Sequence, residues 1–383
     1  MVLSTPSIAI PAGRELDFGF VLYCTTHRGI GGVIGGYTLA LTPTMQIDLL
    51  QKDNGTIARL QSTPTDQGDL TNPDYSTTSM EGPTITVWNE MESRGVKKVV
   101  LLTDYLYRVG GAALWVEGQD VPADAAQLAL YVTEGYNEGY ALGNGFATRY
   151  EQYWNRDNTI IELGNEPELF RSILKVGAPN SGMTASDYWP NKTEIAVSYY
   201  KGMFEGVKAV DPLIKCSTPA SSGYLPIYLY DRFINESMPT VEYLSWHWYD
   251  EHENLMNAGS FVGGSSWRSI FDYLVDRYDK DIIITECNNR FNSIDTEDFE
   301  RYQNKGVRFF QSFLPKAISN ERCKAVIVYG QMDDVHADSR LERGYGAYWF
   351  PGLDTGLPPS QQDFQGLLAP KKEVAIFRTL TRL

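Results

Sequence analysis

Cysteines are few in this sequence, and long apolar runs are missing. Four cysteines are scattered over 383 residues without a CxxC pair, at Cys24, Cys216, Cys287 and Cys323. This spacing does not match a zinc site, and a disulfide framework is not expected in a chain of this length. No stretch of 18 apolar residues occurs, so the sequence predicts no transmembrane helix.

Basic residues are the minority charge. The chain has 33 Lys and Arg against 48 Asp and Glu, which gives a formal net charge of −15 at pH 7. Such a chain repels nucleic-acid backbones and anionic membranes, so we expect neither as a main partner. An acidic surface also simply favours solubility, and the charge leaves the oligomeric state open.

The first residues do not read as a targeting segment. The stretch MVLSTPSIAIPAGREL lacks the basic start and the apolar core of a secretory signal peptide. We therefore expect no signal peptide in this chain. That expectation leaves three locations open: a cytoplasmic protein, a phage-associated protein, or the mature form of a secreted enzyme.

Short apolar, β-branched runs alternate with helix-like segments along the chain. The runs predict strands buried on both faces, at 16–23, 56–61, 97–103, 159–164, 213–219, 241–248, 281–286 and 324–330. The helix-like segments are 42–54, 83–95, 124–143, 194–212, 226–236, 265–280, 299–318 and 371–383. Strict alternation favours a parallel sheet with crossover helices.

Eight strand–helix units in 383 residues predict an α/β fold, a (β/α)₈ TIM barrel. An open doubly wound sheet is the alternative. No Pro/Gly/Ser linker or sequence repeat divides the chain, so we expect one catalytic domain over 1–383. Two long loops follow strands, at 27–38 and at 330–370, the latter between strand 8 and the last helix. In a barrel such loops gather at the C-terminal face, where active sites lie.

The fourth predicted strand is followed directly by a short polar segment. In IIELGNEPELF, the apolar run is followed by Asn165, Glu166 and Pro167. Asn165 can cap a helix that begins at the proline, because proline suits the first helical turn. Alternatively, Glu166 is an acid placed on the catalytic face of the barrel, and the two interpretations are compatible.

A second glutamate ends the seventh predicted strand. DIIITECNNR repeats the layout, and its Glu286 lies 120 residues, or three βα units, after Glu166. Two carboxyl groups at strand ends can face each other across a substrate. Glycoside hydrolysis needs this arrangement, with one acid to protonate the leaving oxygen and one carboxylate to attack or to activate water. For either residue alone, helix capping or an ion pair with arginine is an equal explanation.

A Glu in NEP after strand 4 and a second Glu after strand 7 resemble the clan A glycoside hydrolases, which are (β/α)₈ barrels with retaining chemistry. The resemblance implies that Glu166 is the acid/base, that Glu286 is the nucleophile, and that Asn165 donates to the sugar 2-hydroxyl. LGNEPELF is similar to the glucuronidase and heparanase-like members. Agarases, xylosidases and mannanases use close variants, so the family within the clan stays open.

Other strand ends agree with this resemblance. SWHWYD ends strand 6 with His247 and Tyr249, and in the clan a tyrosine there hydrogen-bonds the nucleophile. ARLQ ends strand 2 with Arg59, which several clan families place below the nucleophile. A cation there keeps the Glu286 carboxyl ionised. A satisfied core histidine and a salt bridge in the barrel base are the structural alternatives for His247 and Arg59.

Aromatic residues are candidates for stacking on sugar rings. Clan A barrels usually end strand 8 in a tryptophan, but VIVYGQMDD has none, so Tyr329 or Gln331 is expected to stand in. Trp349, in the long loop, is a second candidate for this platform. Trp248, beside His247, is a further candidate substrate contact.

Three other classes of function compete with this hypothesis. GIGGVIGG is not a GxGxxG fingerprint, so no dinucleotide cofactor is expected, nor any other cofactor. HWYDEHE and DDVHAD mix His with carboxylates but lack HExxH spacing, so no catalytic metal is expected, although a metal-dependent barrel hydrolase stays an alternative. A third alternative is a non-catalytic barrel, either a carbohydrate-binding protein or a phage structural protein. The leading hypothesis is a retaining, endo-acting glycosidase that cleaves β-linked poly- or oligosaccharides.

Overall fold

A computed structural model of the protein describes the chain in segments. They are 8–23, 43–61, 81–178, 182–222, 226–249, 270–288, 299–330, 348–349, 369–370 and 372–382. The predicted loop 27–38, most of the loop 330–370, and Gln331 lie outside the described residues. For Trp349 only the backbone is described.

Eight parallel strands close into a barrel in chain order. They are β1 Asp17–Tyr23, β2 Ile57–Gln61, β3 Lys97–Leu101, β4 Thr159–Glu162, β5 Lys215–Ser217, β6 Tyr243–Tyr249, β7 Asp281–Asn288 and β8 Cys323–Val328. β8 pairs back onto β1 and completes the ring. The predicted (β/α)₈ barrel is confirmed, and the open doubly wound sheet is wrong.

Helices connect the strands around the outside of the barrel. They are α1 Pro43–Lys52, α2 Glu81–Ser93, α3 Ala125–Tyr150, α4 Pro167–Phe170, α5 Pro190–Val210, α6 Ile227–Arg232, α7 Ile270–Tyr278, α8 Phe299–Ser319 and α9 Val374–Arg378. Asp124 immediately precedes α3, and its carboxylate accepts a hydrogen bond from the Gln127 N–H at 2.9 Å, as an N-cap should. Among the described residues, no helix has both the length and the apolar character needed to cross a membrane.

Residues of the strands alternate between two apolar clusters. Val21, Ile57, Val99, Ile283, Ala325 and Ile327 form a small cluster of their own, which fills the barrel interior. Their strand neighbours, such as Phe20 and Leu22, belong to the large cluster between barrel and helices. This period of two explains why the strands read as continuous apolar runs, since both faces are buried.

Two pairs of short strands lie outside the barrel sheet. Ala9–Ile10 pairs in parallel with Thr381–Arg382, and Tyr348–Trp349 pairs antiparallel with Ala369–Pro370. The Phe377 ring of α9 packs against Phe18, Phe20 and Phe310 at centroid distances of 4.8 to 5.7 Å. The last helix therefore fastens β1 to α8.

Candidate active site

A polar layer lies directly above the apolar filling of the barrel. Each of four strands has a polar residue two positions after an inward-facing one, so the polar side chain also faces the barrel interior. These residues are Arg59 on β2, Glu162 on β4, Ser245 on β6 and Thr285 on β7. Their side chains meet: the Ser245 hydroxyl donates to Glu162 Oε1 and lies 2.7 Å from Thr285 Oγ1. The barrel interior therefore becomes polar at the end of the strands, where the candidate glutamates lie.

Glu166 occupies a strained backbone position. It has φ 44° and ψ 51°, a left-handed conformation uncommon for a residue other than glycine, and its N–H donates to the Ala220 carbonyl at 2.8 Å. α4 begins at the next residue, Pro167, and the position before the helix is Glu166 itself, with no side-chain capping bond. The cap interpretation of Asn165 is therefore wrong. The Glu166 side chain instead contacts His247.

A β-bulge brings Glu286 into the barrel. The register of β7 against β6 shifts, so that Trp246 opposes Ile284 but His247 opposes Glu286. Because of this shift, consecutive residues of β7 both face inward: Thr285 contacts Ser245, and Glu286 contacts Arg59. Strict alternation from Ile283 would have turned Glu286 outward.

Arg59 connects the site from the middle. Its guanidinium is fully buried and donates to Glu162 Oε2 at 2.5 Å, to Glu286 Oε1, and to Asn165 Oδ1 at 2.7 Å. Burial on its own would lower the pKa of Arg59, but the charges of Glu162 and Glu286 raise it, so the guanidinium stays charged. The expected position of Arg59 beside the Glu286 carboxyl is thus observed.

His247 and Tyr249 reach the two glutamates from β6. His247 Nδ1 lies 2.7 Å from Glu166 Oε1 and 3.4 Å from Glu286 Oε2. The Tyr249 hydroxyl donates to Glu286 Oε2 at 2.6 Å. Burial lowers the pKa of His247 to about 4, against an opposing effect of Glu286, so the ring is neutral near pH 7. It contributes a hydrogen bond to Glu166 rather than a charge.

The two glutamates form a close pair. A carboxylate oxygen of Glu166, one of Glu286 and a ring nitrogen of His247 all lie within 4.8 Å of one another. Burial raises the pKa of Glu166 to about 7; Arg59 opposes this shift and Glu162 adds to it. Glu286, in contrast, receives a guanidinium and a tyrosine hydroxyl. The arrangement can hold a proton on one carboxyl group beside a second, charge-stabilised one.

The structure places the aromatic candidates for substrate contact, Tyr329, Trp248 and Trp349, in three different parts of the fold. Tyr329 follows β8, and its ring lies 6.3 Å from that of Tyr249 at an angle of 70°, beside the pair. Trp248 requires a correction. It alternates with the inward-facing His247 and Tyr249, is fully buried, and belongs to the cluster between barrel and helices, so it faces away from the site. Trp349 lies in the short strand Tyr348–Trp349.

Sequence reasoning missed Glu162 and Glu168. Glu162 is fully buried on β4, and only the period of two, counted from Ile160, could have indicated that it shares the barrel interior with Arg59. Glu168 is also fully buried; its Oε1 accepts from the Ser222 N–H at 2.5 Å, and its Oε2 has no hydrogen-bond partner within the described segments. No sequence signal distinguished Glu168 from a surface residue of a short helix.

Comparison with solved structures identifies the class of fold. Solved glycoside hydrolases share this barrel, which confirms the fold that the resemblance to clan A implies. No family sequence model matches the chain, and no curated protein sequence does.

Three particular structures define the likeness. A GH5-4 broad specificity endoglucanase from Clostridium acetobutylicum is 10% identical with TM-score 0.58, over 96% of each chain. Another, from Ruminococcus champanellensis with bound cellotriose, is 14% identical with TM-score 0.53, over 90% of this chain and 86% of that one. A β-glucuronidase from Ruminococcus gnavus is 12% identical with TM-score 0.54, over 95% of this chain but only 49% of that one. At these identities the likeness establishes the fold.

Proposed function

We propose that the protein is a retaining glycosidase that cleaves β-linked poly- or oligosaccharides in an endo fashion, with the 383 residues acting as one catalytic unit. One observation carries the proposal: a carboxyl with a raised pKa, Glu166, lies within 4.8 Å of Glu286 at the mouth of the barrel. Retaining enzymes place their carboxyl groups about 5–5.5 Å apart, whereas inverting ones leave about 6.5–9.5 Å for a water molecule. The close pair therefore favours retention.

In the first half of the proposed reaction, Glu286 is the nucleophile and Glu166 the acid. A Glu286 carboxylate oxygen bonds to the anomeric carbon while the glycosidic C–O bond breaks. The proton of Glu166 passes to the leaving oxygen, which departs as an alcohol. Arg59 and Tyr249 hold Glu286 by both of its oxygens, which fixes the direction of attack.

In the second half, the glycosyl ester on Glu286 is hydrolysed. Glu166, now a carboxylate, accepts a proton from water as the water oxygen attacks the anomeric carbon, and Glu286 leaves. His247 is proposed to hold the Glu166 carboxyl in both halves of the reaction through its hydrogen bond. Because its ring is neutral, it adds no positive charge that would favour early loss of the Glu166 proton.

Substrate contacts complete the proposal. Asn165 is assigned to the sugar 2-hydroxyl, because its Oδ1 is held by Arg59 and its amide nitrogen is thereby oriented. Tyr329 is proposed as the stacking platform, beside the Glu286 partner Tyr249. Gln331 and Trp349 remain proposed contacts from the loop after β8. β-Linked glycans are the proposed substrates, since structures with this fold include endoglucanases and a β-glucuronidase.

A metal-dependent hydrolase is the second candidate function, because Glu166, His247 and Glu286 offer three donor atoms close together. The contact between Arg59 and Glu286 argues against it: a guanidinium already neutralises the carboxylate that a metal cation would need. A non-catalytic carbohydrate-binding barrel would have no need of a proton-holding carboxyl beside a charged one.

A hydrolysis panel tests the proposal. Wild-type protein is incubated with neutral and anionic β-linked polysaccharides, and the products are analysed for chain length. Glu286→Gln should abolish cleavage with the fold intact. Glu168→Gln is the matched control, because it makes the same chemical change in a buried glutamate outside the pair, and it should cleave at near wild-type rate. Near-normal cleavage by Glu286→Gln would refute the assignment.

A further inference from the structure

A second carboxylate shares Arg59 with the proposed nucleophile. Glu162 is fully buried, as is Arg59, and the two are joined at 2.5 Å on the side of the barrel floor. On its other side the same guanidinium contacts Glu286. One positive charge therefore lies between two negative ones, and of the two carboxylates only that of Glu286 is partly exposed, at 6%.

This arrangement has a consequence for the strength of the nucleophile. A buried guanidinium paired with Glu286 alone would place one full positive charge on one carboxylate, in surroundings that screen charge poorly. Such a pairing stabilises the anion and resists the loss of its charge when the glycosyl ester forms. Glu162 weakens the attraction between Arg59 and Glu286, because its own negative charge partly neutralises the guanidinium on the side away from Glu286.

The positive charge of Arg59 also acts on Glu166, the proposed proton donor. Arg59 favours the ionised form of Glu166 and Glu162 disfavours it. Burial raises the pKa of Glu166 most, and without Glu162 the opposing effect of Arg59 would lower this pKa further. Among the described residues, the titratable groups close enough to act on Glu166 also include His247, which is neutral near pH 7, Tyr249, and the carboxyls of Glu286 and Glu168.

We propose that Glu162 is a positioning residue of the active site: it neutralises Arg59 from the barrel floor, and so keeps Glu166 protonated and Glu286 free to attack. Ser245 fixes the far oxygen of Glu162 and in turn contacts Thr285, so the charge is held in place by β4, β6 and β7 together. The inference rests on the proposed function for the roles of Glu166 and Glu286, but its test does not require turnover.

The test is a direct titration of the Glu166 carboxyl. Protein labelled with ¹³C at the glutamate carboxyl carbons is followed by NMR from pH 4 to 9, and the Glu166 signal is assigned by its absence in Glu166→Gln. In Glu162→Gln the midpoint should fall by roughly 1–2 pH units, because one buried negative charge near Glu166 is lost. Ser245→Ala is the matched control: it removes a neighbour of Glu162 but no charge, so the midpoint should stay near the wild-type value.

Two results would overturn the inference. The first is an unchanged midpoint in folded Glu162→Gln; the second is a shift in Ser245→Ala as large as that in Glu162→Gln, which would make Glu162 a merely structural partner. If Glu162→Gln does not fold, Arg59→Met combined with Glu162→Gln removes both charges of the buried Arg59–Glu162 pair and leaves Glu286 with the Tyr249 hydroxyl as its partner. The inference then predicts a midpoint near that of wild type, and a large displacement would contradict it.

Measuring glycoside cleavage alongside the NMR titration distinguishes a failure of this inference from a failure of the proposed function. On a cleaved aryl β-glycoside, the alkaline limb of the kcat/KM profile should move to lower pH in Glu162→Gln, in parallel with the NMR midpoint. A shifted midpoint in a protein whose wild type cleaves no glycoside would leave the charge role of Glu162 standing and remove the glycosidase assignment.

Discussion

Two glutamates, two residues apart, have different surroundings in this barrel. The Glu166 side chain is 15% exposed at the mouth of the site and hydrogen-bonds a neutral histidine. The Glu168 side chain is fully buried behind it, against the Ser222 backbone. Burial raises the pKa of Glu166 to about 7 and that of Glu168 to about 8. Only the first can meet a substrate, so the same shift serves chemistry in one residue and costs stability in the other.

Glu166 sets the alkaline limit of the proposed reaction. Its carboxyl must carry a proton to act as the acid, and a pKa raised to about 7 keeps that proton on below pH 7. We therefore expect kcat/KM to fall tenfold per unit above about pH 7. The profile is measured on an aryl glycoside with an activated leaving group. In Glu166→Ala the limb should vanish, and cleavage of poor leaving groups should drop by roughly 10²–10⁴-fold; a limb unchanged in this variant would contradict the role.

Glu168 makes stability depend on pH. Its folded pKa, about 8, lies above the ordinary value of 4.5, so the folded state binds more protons between these limits and stability falls as pH rises through them. Glu168→Gln mimics the protonated carboxyl. We expect equal unfolding free energies at pH 4, and a variant more stable by roughly 2–4 kcal/mol at pH 8. Chemical denaturation at both values checks this, and a variant less stable at pH 8 would refute it.

At the scale of elements, glycines lock α3 against α5. Gly135, Gly139 and Gly143 recur every four residues along one face of α3, a spacing that aligns them on the helix surface. A Cβ at Gly139 would overlap the Tyr199 carbonyl of α5, whereas one at Gly135 would lie 3.2 Å from the Ile195 carbonyl. The two helices therefore pack backbone to backbone at these glycines.

Gly139→Ala tests this packing. The added methyl group must force the helices apart, so the free energy of unfolding should fall by roughly 1–3 kcal/mol despite the better helix propensity of alanine. Gly135→Ala is the control on the same face, with a looser contact, and should lose clearly less stability. Denaturant unfolding of both variants measures the difference; equal effects would contradict the close approach at Gly139.

β7 shows the limit of sequence reasoning at this scale. A strand ending in Glu286 is predictable from DIIITE, but the bulge that turns this residue inward depends on pairing with β6 and leaves no signature in a single strand. Trp248 illustrates the opposite error. Its neighbours His247 and Tyr249 face the barrel interior, and the period of two that directs them inward directs the tryptophan outward.

For the whole molecule, the eight-strand barrel was predictable because both faces of its strands are buried, so each strand reads as an apolar run. The meeting of the two glutamates was predictable because strand ends converge on one face, and the place of Arg59 followed from the resemblance to clan A. Glu162 was not, since its ion pair with Arg59 joins residues 103 positions apart across the barrel interior.

The end of the chain also supports the whole barrel. Phe377 is fully buried and its ring contacts β1 and α8. Phe377→Ala should lower the free energy of unfolding by about 3–5 kcal/mol. Val176→Ala, at a position 79% exposed, should change it by less than about 0.5 kcal/mol. Thermal unfolding compares the two, and a small loss at Phe377 would show that α9 does not secure the barrel.

The stereochemistry of the first product tests the central claim most directly. A substrate cleaved in the panel is hydrolysed at high enzyme concentration, and ¹H NMR records the newly formed anomer before mutarotation. The close Glu166–Glu286 pair predicts a β-anomer from a β-linked substrate, through an ester on Glu286. An α-anomer as the first product would show direct attack by water and would contradict the account.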